Sequence, residues 1–258
     1  MPTVTLLEKV YGSFSPETFE PVFSSLCKGL KVKLRVVGET NRGWVQMEVS
    51  GEDEIVALRF FDQEMGLAPG SLDDLKKFSV IRGRVIFSGK SKKELCVDIG
   101  VFSPETYDAV LPLQRLQAQL ADGKKLPLQR LVEFFCLYDN LPLRVKIVQD
   151  VDVQKNWVEA ELSEAQLSQI ASWIRSSFDR LVVLGAFLSD VERAVKMSKH
   201  FRDVINIESL GVLEQVILCK LGTDAVGLIP KLGRFLPDAV LVPFSPRKIR
   251  QLIDRPFL

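Results

Sequence analysis

The densest chemistry in the sequence is cationic. Residues 76–93, KKFSVIRGRVIFSGKSKK, hold seven lysines and arginines and no acid. Arg82 and Arg84 stand two apart in a strand-like run and so share one face, while Lys90, Lys92 and Lys93 crowd the turn that follows. Phe78 and Phe87 are interleaved with these cations, and Phe102 follows the next strand-like run. Cations beside aromatic rings are the equipment of sequence-tolerant single-strand binders, in which bases stack on rings while a basic groove follows the backbone. The candidate nucleic-acid contacts are therefore Arg82, Arg84, Phe87, Lys90, Lys92, Lys93 and Phe102. Four or five phosphate contacts would give a log–log salt slope of about −3 to −4. The alternative is that lysines in the turn keep an edge strand soluble. A second basic patch, Arg247, Lys248 and Arg250 in SPRKIRQLIDR, falls on an expected helix capped by Ser245 with Pro246 at its first position. Cations near a helix start oppose the dipole, so they are either paired or used.

Little else could do chemistry. His200 is the single histidine, which excludes multi-histidine metal sites; after KMSK it reads as a helix C-terminal dipole partner. Cys27, Cys96, Cys136 and Cys219 are too widely spaced for a redox pair or a zinc knuckle. Phosphate-loop, dinucleotide, nucleophile-elbow and zinc-protease motifs are absent. The reading leans away from an enzyme and assigns no catalytic residue, metal or cofactor. Lysine plus arginine (34) nearly balances aspartate plus glutamate (33), so no global field drives the chain to nucleic acid or membrane. The longest apolar runs, such as residues 181–188, are too short to cross a bilayer, and the N-terminus lacks a signal-peptide pattern. A reduced, soluble, cytoplasmic protein is expected.

The elements that must position these residues come from an internal likeness. Residues 30–50 and 143–163 align without a gap at 7 of 21 positions, including Trp44 with Trp157, where unrelated stretches share roughly one or two. Each reads as a β-hairpin, with a helix before it (around 17–28 and 127–138) and one after it (around 52–65 and 164–177). Ser50 and Ser163 are the expected caps. GKSKKELCVDIG (89–100) pairs in turn with GVLEQVILCKLG (211–222), and Asp-Ala-Val and a proline follow each. The expected fold class is α+β by tandem duplication. The first copy spans 1–122, with an α/β layer over 1–75 and a barrel-like unit over 78–120. The second spans 123–258, with an α/β layer over 123–202, a barrel-like unit over 203–244 and a helix over 245–255. It also carries an added strand near 181–186 and a helix near 190–200. Both tryptophans are expected to be core anchors, and both LPLQRL hexapeptides (111–116, 126–131) to start helices.

On Gly83, Val85, Val97, Asp98, Ile99, Gly100, Leu111, Pro112 and Leu116, the run 80–116 resembles the nucleic-acid-binding, OB-like barrel named after the first small-subunit ribosomal protein. Gly222, Gly227, Leu228, Ile229, Pro230 and Leu232 carry a weaker version in the second copy, with Lys220 in place of the aspartate. Over its whole length, through residues 97–123 and 219–233, the chain resembles an archaeal family of conserved proteins without an assigned function. The first resemblance implies a barrel that contacts RNA; the second brings no activity. The expected function is a non-enzymatic RNA-binding or ribosome- and translation-associated factor working through the basic strand-turn Lys76–Lys93. The competing reading is a protein–protein adaptor that makes no nucleic-acid contact.

Overall fold

A computed structural model describes residues 3–69, 71–72, 75–86, 91–102, 105–149 and 155–253. By contacts, the chain divides into two compact units, Met1–Gly70 and Ser71–Leu258.

In the first unit, β1 (Thr3–Lys9), a 3-10 turn (Pro16–Phe19), α1 (Glu20–Leu26), β2 (Val32–Glu39), β3 (Trp44–Gly51) and α2 (Glu54–Glu64) make an antiparallel sheet of order β1-β3-β2 with helices against one face. Alternation in β2 buries Leu34 and Val36 and exposes Lys33 and Arg35. Phe19, Phe23 and Phe61 stack tilted and edge-on behind them. The N-cap of α2 is Asp53, not Ser50, and its carboxylate accepts the Lys31 N–H at 2.8 Å.

The second unit opens with a closed five-stranded barrel. Its strands are β4 (Val80–Ile86), β5 (Glu94–Val101), β6 (Tyr107–Pro112), β7 (Pro142–Ile147) and β8 (Trp157–Leu162), in the order β4-β5-β6-β8-β7. Only β6–β8 is parallel, which makes this the Greek-key barrel of the OB type. Gly83 permits closure, because a Cβ there would meet the Asp98 carbonyl at 2.5 Å. Between β6 and β7 run α3 (Leu113–Ala121) and α4 (Leu128–Phe135), both starting inside an LPLQRL hexapeptide as expected. After the barrel, α5 (Glu164–Arg175) is capped by Ser163, whose hydroxyl accepts from the Gln166 N–H.

The chain then builds β9 (Arg180–Leu184), α6 (Leu188–Met197), β10 (Val204–Ser209), β11 (Glu214–Cys219), α7 (Ala225–Gly233), β12 (Val240–Phe244) and α8 (Pro246–Ile253). Its antiparallel sheet has the order β10-β11-β9-β12. One face, through Val182, Leu184, Val216, Val242 and Phe244, joins the barrel core and the apolar sides of α5 and α8. The other, through Leu181, Val183, Ile217 and Cys219, packs on α6 and α7. With both faces covered, β9 is buried at every position, which is why its sequence is an unbroken apolar run after Arg180.

The helix–hairpin–helix pattern does occur twice, as α1-β2-β3-α2 and α4-β7-β8-α5, but the two stretches are not equivalent, and the pattern does not show a duplication. The free edge of β3 pairs with β1, whereas β7 and β8 pair with β4 and β6. A boundary at 122/123 would therefore cut the barrel in two. Trp44 is 1% exposed in a sheet core; Trp157 is 40% exposed on a barrel strand. The expected second barrel over 203–244 instead supplies three strands of the four-stranded sheet, and its Asp-Ala-Val starts α7 with Asp224 as N-cap, where the first Asp-Ala-Val lies in β6. Glycine and apolar spacing alone did not distinguish a helix from a barrel strand.

Candidate nucleic-acid interface

Pairing fixes which residues share an end of the barrel. The chain enters β4 through a tight turn, in which the Ser79 N–H and hydroxyl both donate to the Lys76 carbonyl, at 2.9 and 2.6 Å. Phe78 takes a left-handed conformation there (φ 68°), a cost of about 1–2 kcal/mol for a residue with a Cβ. Its N–H donates to the Ile147 carbonyl at 2.8 Å, and the Ile147 N–H donates to the Ser79 carbonyl at 3.0 Å, so both ends of the turn are tied to β7. The ring is thrown outward and is 62% exposed, with Lys77 Nζ 5.2 Å and Lys146 Nζ 5.7 Å from its centroid.

Because β5 is antiparallel to β4, Phe102, one residue past β5 and also exposed, lies at this same end. Val101 pairs with Tyr107 and Asp108 with Trp157, which brings Trp157 there too. Lys155 Nζ lies 5.2 Å from the Trp157 ring centroid. Three exposed aromatics, Phe78, Phe102 and Trp157, thus rim one end of the barrel, two of them with lysines over the ring. On the adjoining outer wall, alternation turns Arg144 and Lys146 outward from β7 while Leu143, Val145 and Ile147 fill the interior. Arg82 of β4 sits directly opposite Arg144 in register.

The charge is unevenly spread around the barrel. OB barrels commonly receive ligands across their second and third strands, but here the outer face of those strands carries Glu94 and Asp108, with Asp98 buried beside them. Burial pushes the Cys96 thiol upward, and the carboxylates of Glu94 and Asp108 add to the effect. Glu159 and Glu161 of β8 are engaged by Arg115, and Lys146 also reaches Glu161 at 3.3 Å. Cations thus gather at the aromatic end and on the β4–β7 wall, and carboxylates on β5–β6.

The contiguous basic run of the sequence is divided in space. Arg84 is buried: it pairs with the buried Glu214 of β11, and its guanidinium donates to the Asn140 carbonyl at 3.3 Å. Gly211 of the β10–β11 turn packs so closely that a Cβ would run into Glu214 and the Arg84 guanidinium. Arg84 is therefore a buried docking residue between barrel and sheet, not a phosphate contact. Lys92 and Lys93 are exposed beyond the opposite end of β4, a strand about 20 Å long at 3.3 Å per residue. Phe87 and Lys90 lie outside the described residues.

Arg247, Lys248 and Arg250 belong to α8, whose Pro246, Ile249 and Ile253 are buried. Arg250 donates to the Ser177 hydroxyl at 2.6 Å. Lys248 lines a cleft of about 320 Å³ with Arg130, Glu133, Tyr138, Asp179 and Asp224. Three acids outnumber two bases in this cleft, so it is no anion groove. His200 Nδ1 lies 2.6 Å from the Asp203 carboxylate.

The residues that sequence reasoning missed are Arg144, Lys146, Lys155 and Trp157. The alternation in LRVKI gave the side of the strand for Arg144 and Lys146, but assigning that hairpin to a second copy kept it away from β4.

Family models match the chain in three consecutive stretches: the DUF2110 N-terminal domain over 3–68, the central domain over 76–174 and the C-terminal domain over 178–243. The chain belongs to the DUF2110 family. The three matches coincide with the three-stranded unit, the barrel with α3–α5, and the four-stranded sheet. No curated protein matches the chain. Among solved structures, a protein from vaccinia virus (Wisconsin strain) is 21% identical, covering 34% of this chain and 89% of its own, at a TM-score of 0.23. The intact alpha subunit of aIF2 from Pyrococcus abyssi is 8% identical, covering 65% of this chain and 97% of its own, at a TM-score of 0.26. Among the described residues, no helix is long and apolar enough to cross a membrane and no cluster of His, Cys, Asp and Glu could hold a metal ion.

Proposed function

We propose that the DUF2110 central domain is a single-stranded RNA-binding module, non-enzymatic and associated with translation in the cytoplasm. In this reading bases stack on Phe78, Phe102 and Trp157, and phosphates run past Lys77, Lys146 and Lys155 toward Arg82 and Arg144. The observation that carries it is Phe78: a large ring held in a costly left-handed turn, aimed at solvent and flanked by two lysines. Core packing does not explain that placement, whereas base stacking on an aromatic platform, about 1–3 kcal/mol per base, does.

The test is fluorescence anisotropy of the full chain with labelled oligo-uridine, a mixed-sequence single strand and an RNA duplex. Both single strands should bind and the duplex should bind more weakly. Equal affinity for the duplex, or no loss on replacing Phe78 and Trp157 by alanine, would refute the reading.

A further inference from the structure

We propose that the free edge of β10, in the DUF2110 C-terminal domain, is a docking site for an extended, acidic segment of a partner protein, which adds to the sheet as a further strand. The proposal is independent of the RNA reading.

β10 is the outermost strand of its sheet, and among the described residues no strand pairs with its other edge. Exposed edges are normally blunted by charged side chains, above all lysine, by proline or by bulges; Val204–Ser209, VINIES, has no lysine or proline, and carries only Glu208 and the register shift at its start. At the start of β10 the surface is apolar. Phe201 and Ile205 are exposed, Met197 is exposed at the end of α6, and Leu221 is 82% exposed. Leu221 is held beside the strand because Val204 pairs with Cys219 and the Lys220 N–H donates to the Asp203 carbonyl at 2.8 Å. Ile205 falls where the β10–β11 register shifts, so it is an additional side chain at the rim. Exposed apolar side chains beside an open strand edge have the anatomy of a strand-addition site: main-chain hydrogen bonds supply affinity and alternate side chains supply specificity.

The surrounding charge decides the occupant. Lys196, Lys199, Arg202 and Lys220 are exposed around these side chains. Arg202 lies over the Phe201 ring at 5.7 Å, and the nearby Asp203 carboxylate is engaged by His200. A second copy paired edge to edge across a two-fold axis would bring these cations against one another. Nucleic acid fits less well, because of the exposed apolar side chains only Phe201 offers a flat face for a base, while Met197, Ile205 and Leu221 offer none. An acidic peptide carrying aliphatic residues satisfies the cations, the apolar side chains and the unpaired backbone together.

The probe is an array of labelled ten-residue peptides alternating glutamate with valine or isoleucine, tested against the full chain by anisotropy. A lysine-for-glutamate set and two sets, each N-methylated along one of the two strand edges, serve as controls. Acidic members should bind, lysine versions at least about tenfold more weakly, and methylation of one edge but not the other should abolish binding. The variant Lys199→Glu/Arg202→Glu/Lys220→Glu should weaken binding by about tenfold or more; so should Ile205→Asp. All four positions are exposed, and unchanged thermal unfolding should show that both variants fold. The proposal is overturned if no acidic peptide binds below millimolar concentration, or if both methylated edges bind alike. It is also overturned if sedimentation shows a dimer that Ile205→Asp dissolves, or if the charge reversal abolishes oligo-uridine binding while leaving peptide binding intact.

Discussion

Salt dependence separates the barrel-end site from the basic run as it is written in the sequence. Five cations surround the aromatic end or its adjoining wall: Lys77, Arg82, Arg144, Lys146 and Lys155. If each contacts a phosphate of a single strand, the log–log slope of affinity against salt is about −3.5, and affinity falls about 100-fold between 50 and 200 mM salt. Replacing Lys77, Lys146 and Lys155 by alanine leaves two contacts, a slope of about −1.4 and a loss of about sevenfold over the same range. The fold should tolerate the change, because the Lys146–Glu161 pair is partly solvated and such pairs contribute about 0–1 kcal/mol. The control replaces Lys92 and Lys93, which belong to the same run but sit at the far end of β4; it should leave the slope nearly unchanged. The assay is anisotropy of labelled oligo-uridine at four or more salt concentrations. The reasoning is refuted if the triple variant keeps the wild-type slope, or if the Lys92/Lys93 control accounts for most of it.

Four further outcomes follow from the same geometry. Phe78→Gly relieves the left-handed turn, so thermal stability should hold or rise by up to about 1 kcal/mol while RNA affinity drops about five- to 100-fold; stability and binding that fall together would contradict this. Arg84→Met leaves Glu214 buried without its partner and should cost about 3–5 kcal/mol in urea unfolding, much of it recovered by adding Glu214→Leu. Gly211→Ala pushes a methyl group into that ion pair and should destabilise the chain without touching the RNA site, as seen in a lowered Tm at unchanged RNA affinity. Burial, reinforced by Asp179, pushes the Cys219 thiol up to about 12 from its ordinary 9. The unfolded chain therefore loses this proton first, and stability falls as pH rises from about 9 to 12. Cys219→Val should reduce the loss measured by urea unfolding at about pH 8 and about pH 10 but not abolish it, because burial also raises the Cys136 thiol.

Local signals were strong in the sequence and tertiary ones weak. The helix starts at both hexapeptides, the Ser163 cap, the alternation of β7 and the first barrel motif through Val97, Asp98 and Ile99 could all be read, because each depends on neighbours within a few residues. The partner of each hairpin could not. Val32 and Val145 carry the same alternation whether their strand ends in an open sheet or a closed barrel, and only the long-range pairing with β4 decides. The same gap misplaced the site. Arg82 and Arg84 do share a face, but the Glu214 that buries Arg84 lies in a strand far along the chain, with no pairing signature in the sequence. Phe78 was visible as an aromatic among cations, while its left-handed turn was not, because no glycine or asparagine marks it.

Barrel closure also sets a schedule for folding during synthesis. β4 and β6 each expose an edge until β7 and β8 emerge, and β4–β7 pairing joins residues as far apart in sequence as Val80 and Lys146. At about 5–20 residues per second, the stretch from Pro112 to Leu162 takes roughly 3–10 s to translate. Throughout that interval three strands of a barrel lack their closing pair, long enough for a chaperone to engage them and for a truncated chain ending in α3 or α4 to aggregate through its open edges.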